Sequence, residues 1–212
     1  MHESAGPGDI APETERRTPL DNRLFMLILQ HPHEGKAPLA TGAIATAALR
    51  RSTLVVGLSW PNLARLLGRP VDARRWGVLY LGSARPRELA RKREIILLDG
   101  NGEPDEEQDG VLRGLEGAVL LDGTWKEAKT LWWRNPWLLG LRRLVLNPPG
   151  PSRYGRLRRE PRREALSTLE AAALLLRHLD GRSGADNAAA LLARLDDLLA
   201  AARGGNHPRA RP

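Results

Sequence analysis

Gly117-Ala-Val-Leu-Leu-Asp122-Gly-Thr-Trp125 is the stretch that decides the fold. A continuous apolar run that ends on a carboxylate reads as a strand buried on both faces, as central strands of parallel sheets are. Thr124 and Glu127 have capping-box spacing, so a helix is expected from Thr124 to about Arg134. A buried strand passing directly into a helix is the building unit of α/β architecture. Asp122 stands at the turn, and its carboxylate should emerge beside a helix N-terminus, where backbone N–H groups collect. In isolation the same residues also make a plain Asp-Gly turn with a cap.

Working outward, similar apolar runs predict strands at Arg23–Gln30, Ser52–Leu58, Trp76–Leu81, Glu94–Leu98 and Leu141–Leu146. Helices are expected from Thr41 to about Arg51, Leu63–Leu67, Ser167–Leu179 and Ser183 to about Arg203, with loops at 100–110 and 147–164. The alternation predicts an α/β domain over residues 23–203, with a mainly parallel sheet flanked by helices. Residues 1–22 and 204–212 read as disordered tails. Ligands of such sheets bind outside the carboxyl ends of the strands.

Composition narrows the classes. No apolar run approaches the ~18 residues that cross a bilayer, and residues 1–22 lack a signal peptide's apolar core, so a cytoplasmic protein is expected. The absence of cysteine excludes disulfides, thiolate catalysis and Cys-built zinc sites. The histidines His2, His31, His33, His178 and His207 are scattered, and no metal is expected. Lys and Arg number 33 against 25 Asp and Glu, and five of the acids lie in Glu103–Asp109, which leaves the remainder more basic still. That balance suits a polyanionic partner such as nucleic acid; a compositional Arg bias accounts for it equally.

Two further constellations carry chemistry. Ser152-Arg-Tyr-Gly-Arg-Leu-Arg-Arg-Glu-Pro161 leads into Leu166-Ser-Thr-Leu-Glu-Ala171, where Ser167 and Glu170 repeat the capping-box spacing. Arginine forks match phosphate and carboxylate geometry, and a capped helix N-terminus suits an anion. A solvated charge run is the bland reading, but this one joins a capped apolar helix directly. Gln30-His31-Pro32-His33-Glu34, with Thr41-Gly42 following, sits at another strand's carboxyl end. Trp125, Trp132, Trp133 and Trp137 read first as core, although Trp132 and Trp133 point to different helix faces.

In combination, His31-Pro-x-Glu34 with Thr41-Gly42, Asp122-Gly-Thr-Trp125, the Ser152…Arg158-Arg159 loop and Leu166-Ser-Thr-Leu-Glu-Ala171 resemble the DTW-domain family. The motifs run in the family's order across roughly residues 23 to 180. The resemblance implies a tRNA-uridine aminocarboxypropyltransferase, which moves the 3-amino-3-carboxypropyl group of S-adenosylmethionine to N3 of uridine; bacterial relatives act on the tRNA variable loop. It also implies a SPOUT-like, knotted α/β fold. The chain departs from the pattern in three places. It lacks the Cys-rich N-terminal segment of many bacterial relatives, has Ala40 where Asn is expected, and has an extra residue, Gly155, in the basic loop.

For that reaction Asp122 is the expected catalytic residue, either as the base for N3 or as an orienting acceptor. Thr124, Trp125, Arg158, Ser167, Thr168, Glu170, His31 and Glu34 are expected to bind the donor. Arg158 or the helix start would meet its carboxylate, and Trp125, unless it is core, would meet its sulfonium. Arg153, Tyr154, Arg156, Arg159, Arg162 and Arg163 are expected to track tRNA. No obligate protein partner is inferred. Two alternatives remain open: a SPOUT-type methyltransferase using the same donor, and a non-catalytic RNA-binding protein.

Overall fold

The computed structural model describes residues 18–36, 40–82, 93–153 and 166–204. In chain order the elements are β1 (Phe25–Gln30), α1 (Thr41–Ala48), β2 (Ser52–Val56), α2 (Leu63–Leu67), β3 (Trp76–Leu79), β4 (Ile95–Leu98), α3 (Gln108–Gly114) and β5 (Gly117–Asp122). There follow α4 (Trp125–Arg134), β6 (Arg142–Leu146), α5 (Thr168–Leu179) and α6 (Gly184–Gly204). The six strands form one sheet in the order β2-β1-β5-β3-β6-β4. Every pairing is parallel except β4 with β6. The expected α/β class and mainly parallel sheet are therefore present.

Two apolar layers cover the sheet. On one face α1, α5 and α6 bring Ala45, Leu169, Ala172, Leu175, Leu191 and their neighbours against Met26, Ile28, Ala118 and Leu120. On the other, α2, α4 and the 3-10 turn Pro136–Gly140 set Leu63, Leu131 and Leu138 against Leu27, Leu29, Val119 and Trp76. Strand residues of alternate parity serve the two faces, which is why β1 and β5 read as unbroken apolar runs. Gly117 is needed where β5 begins: a Cβ there would lie 2.6 Å from the ring of Trp76, its register partner on β3.

The neighbouring strands β1 and β5 send their following helices to opposite faces, α1 to the first layer and α4 to the second. Such a divergence opens a crevice at the carboxyl ends of the strands, where ligands of open α/β sheets bind. Gln30 and Asp122 end these two strands and His31 follows β1, all three of them buried.

Several local expectations shift. The helix from Thr41 stops at Ala48, because Leu49 leaves it to form a bridge with Leu20. Leu20 and Asn22, expected in the N-terminal tail, are held to the domain. Leu20 N donates to Ala48 O at 2.8 Å, and the Asn22 amide donates to Leu24 O and Arg51 O at 2.7 and 3.0 Å. The acidic segment read as loop over 100–110 turns helical at Gln108, whose buried side chain accepts from Leu97 N at 2.9 Å. That anchor on β4 is a tertiary contact, invisible to local pattern.

Candidate active site

Asp122 ends β5 directly opposite Gln30, the last residue of β1. Asp122 is 3% exposed, and its carboxylate is gripped from two sides. Gln30 Nε2 donates to Oδ2 at 2.8 Å, and the Thr168 hydroxyl donates to Oδ1. A third wall is Gly42 in α1: a Cβ at that position would collide with Oδ2, so only glycine lets the helix approach this closely. His31 N closes the strand ends by donating to Asp122 O at 2.9 Å. Asp122 and Thr168 thus meet although they are 46 residues apart.

Beside this pair lies a cavity of about 170 Å³, bounded by the ends of β3, β5 and β6 and by the first turns of α4 and α5. Leu79, Leu81, Leu120 and Leu146 give it apolar walls, and Trp125 and Thr168 line it as well. Asp122 is not itself in the lining. Thr168 stands between the carboxylate and the cavity, and its geometry is consequential. A hydroxyl has one proton to donate and two lone-pair positions. With the proton directed to Asp122, the oxygen can only accept from anything that enters the cavity.

The two capping boxes form as the sequence predicts. Thr124 caps α4, with its N–H donating to Glu127 Oε2 at 2.8 Å, and Ser167 caps α5, with its N–H donating to Glu170 Oε2 at 2.9 Å. Glu170 does more: it also accepts from Ser152 Oγ at 2.8 Å and from Arg153 N at 2.7 Å. This buried carboxylate therefore ties Ser152–Arg153, at the start of the basic loop, to the head of α5, and it is directed at the loop rather than at the cavity. Arg153 forms an ion pair with Asp196 of α6. Glu34 is buried in the short turn after β1. Tyr154, Arg156, Arg158, Arg159, Arg162 and Arg163 lie outside the described residues.

His31 and His33 turn towards Glu127, with Nδ1 to Oε1 distances of 3.3 and 3.5 Å. Burial pushes the Glu127 carboxyl upwards, but the Thr124 side-chain and backbone hydrogen bonds and the two histidines outweigh it and hold the group below the usual range. These three side chains are the one set among the described residues close enough to share a metal ion. Oε2 of Glu127 is already occupied by the cap.

Gln30, Gly42, Tyr80 and Arg143 carry no role in the sequence reading. For Gln30 the signal is a polar residue closing a fully apolar strand. Tyr80 lines the cavity and stacks on Trp132 with centroids 4.1 Å apart. Burial raises its hydroxyl pKa, against a smaller opposing pull from Arg143. Arg143 donates to the carbonyls of Tyr80 and Leu81 at 3.1 and 2.9 Å, which fixes the segment leaving β3.

No helix among the described residues is long and apolar enough to cross a membrane. The DTW domain family matches residues 13–202 of the chain. A tRNA-uridine aminocarboxypropyltransferase 2 from Drosophila melanogaster is 34% identical over 159 residues, which is 74% of this chain and 57% of that protein. The chain thus spans a little over half the length of this curated relative. No solved structure matches it. With the Asp122-Gly-Thr-Trp125 turn, the capped Ser167 helix and the match over nearly its whole length in agreement, the chain belongs to the DTW-domain family.

Proposed function

We propose that this protein transfers the 3-amino-3-carboxypropyl group of S-adenosylmethionine to N3 of a uridine in tRNA. The observation that carries the reading is the Asp122–Thr168 pair at the wall of an apolar cavity, in a chain of this family. The donor set fits S-adenosylmethionine. Apolar strand ends suit an adenine, an aromatic face suits a sulfonium, and a lone-pair-bearing hydroxyl backed by a carboxylate suits an ammonium or an N–H.

When bound, the donor supplies an electrophilic methylene next to a sulfur leaving group. The chain's part is to orient and desolvate. N3 forms its bond to that methylene as the C–S bond breaks, and the N3 proton must leave. Thr168 Oγ accepts N3–H, and as it takes the proton its own passes to Asp122 Oδ1. Each oxygen of Asp122 already accepts one hydrogen bond and keeps a second lone pair. Gln30 and Gly42 hold the carboxylate where this relay needs it. The apolar walls favour a step in which an anion-like nucleophile and a cationic donor lose their charges together. Trp125 would meet the donor's sulfonium, and the Ser167–Thr168 helix start, with Arg158, would hold its carboxylate. Glu170 acts one step back, by tying Ser152 and Arg153 to the head of the helix. His31 and Glu34 support the strand end beside Asp122.

This reading brings with it a SPOUT-like, knotted chain path. Its support is a mainly parallel sheet whose late helix α5 packs back on α1 and β5. The arginines of the basic loop track tRNA phosphates, and the reaction belongs in the cytoplasm. Incubating the protein with S-adenosylmethionine and undermodified tRNA, then analysing nucleosides by mass spectrometry, tests the proposal. An aminocarboxypropyl adduct on uridine supports it, lost in Asp122→Ala and Thr168→Val but kept in Thr168→Ser. A methyl adduct, or an intact donor, overturns it.

A further inference from the structure

α4 has three distinct sides. Leu131 is buried in the core, whereas Trp125, Ala128 and Trp132 face the cavity or its Tyr80 wall. The third side is in solvent. At 3.6 residues per turn, Lys126, Lys129 and Trp133 fall within about 60° of arc, spread over about 10 Å of helix axis. All three are exposed, Trp133 to 70%, and among the described residues neither lysine forms an ion pair or a side-chain hydrogen bond. Arg134 is likewise exposed without a side-chain partner among the described residues, but it lies outside the stripe, about 80° round the helix from Lys126. The one acid of the helix, Glu127, is turned away and held by Thr124 and the two histidines.

A lone exposed apolar residue needs no explanation. A large indole one turn beyond two ammonium groups that have no partner among the described residues, on the helix that also walls the cavity, does. We propose that this stripe is an RNA-docking face: Trp133 stacks on an unpaired base next to the target uridine, and Lys126 and Lys129 hold the flanking phosphates. Charge complementarity selects the occupant, because the stripe is purely cationic and aromatic, the combination that binds single-stranded nucleic acid. The inference rests on the proposed tRNA reaction and extends its interface beyond the basic loop.

The test measures tRNA binding directly at several salt concentrations, donor binding by calorimetry, and transfer kinetics. Trp133→Ala should weaken tRNA binding and raise KM for tRNA by about tenfold, leaving the melting temperature, donor affinity and kcat at saturating tRNA unchanged. Trp133→Phe should recover most of the loss. Lys126→Ala with Lys129→Ala should flatten the log Kd against log salt line by roughly 1.5. Unchanged tRNA affinity in Trp133→Ala overturns the proposal, as does loss of a concentration-dependent dimer in that variant with tRNA binding intact. Wild-type protein that binds tRNA through Trp133 but transfers nothing would sink the reaction and leave the docking face standing.

Discussion

Gly42 lies against the Asp122 carboxylate so closely that its missing side chain is part of the site. A methyl group there must push either α1 or the carboxylate aside, and the carboxylate is the more easily moved because, among the described residues, it is located by two side-chain hydrogen bonds. Gly42→Ala is therefore expected to lower kcat at least tenfold, with a stability cost of about 1 to 3 kcal/mol. Single-turnover transfer and a thermal melt separate the two effects. A variant of wild-type activity would show that the position of Asp122 is immaterial.

At the scale of elements, the head of α4 is a small electrostatic device. Its cap depends on Glu127, whose carboxyl sits below the ordinary value because Thr124 donates to it twice and the histidines face it, in spite of burial. A lowered folded-state value means stabilisation that is complete above the usual glutamate range and fades as pH falls through the folded value. Glu127→Gln should cost about 1 kcal/mol near neutrality. The gap between its melting temperature and that of the wild type should close as pH is taken from about 5 to 3. A gap independent of pH would refute this account. α5 uses the same box, but there Glu170 also holds Ser152 and Arg153, so a capping motif visible in sequence doubles as a loop clasp.

For the molecule as a whole, a net charge of +8 predicts salt-sensitive association with RNA. With the basic loop and the α4 stripe both engaged, log Kd for tRNA against log salt should have a slope of roughly 3 or more in magnitude. A flat line, measured by filter binding between 50 and 300 mM salt (roughly the range where such contacts titrate), would rule out a phosphate-tracking interface. Donor binding, centred on an apolar cavity, should vary far less.

Much of this was legible in the chain alone. The apolar runs ending at Gln30, Asp122 and Leu146 and the two capping boxes are local signals, because periodicity and cap chemistry act within a few residues. They determine the element order, the α/β class and the placing of Asp122 at a strand's end. Only the tertiary structure decides that β5 inserts beside β1, that β4 runs antiparallel, that Gln108 starts a helix on β4, and that Thr168 takes its place between Asp122 and the cavity. Each of these depends on contacts between residues distant in sequence, whose loop-closure entropy is repaid by burial and hydrogen bonding that no local window contains.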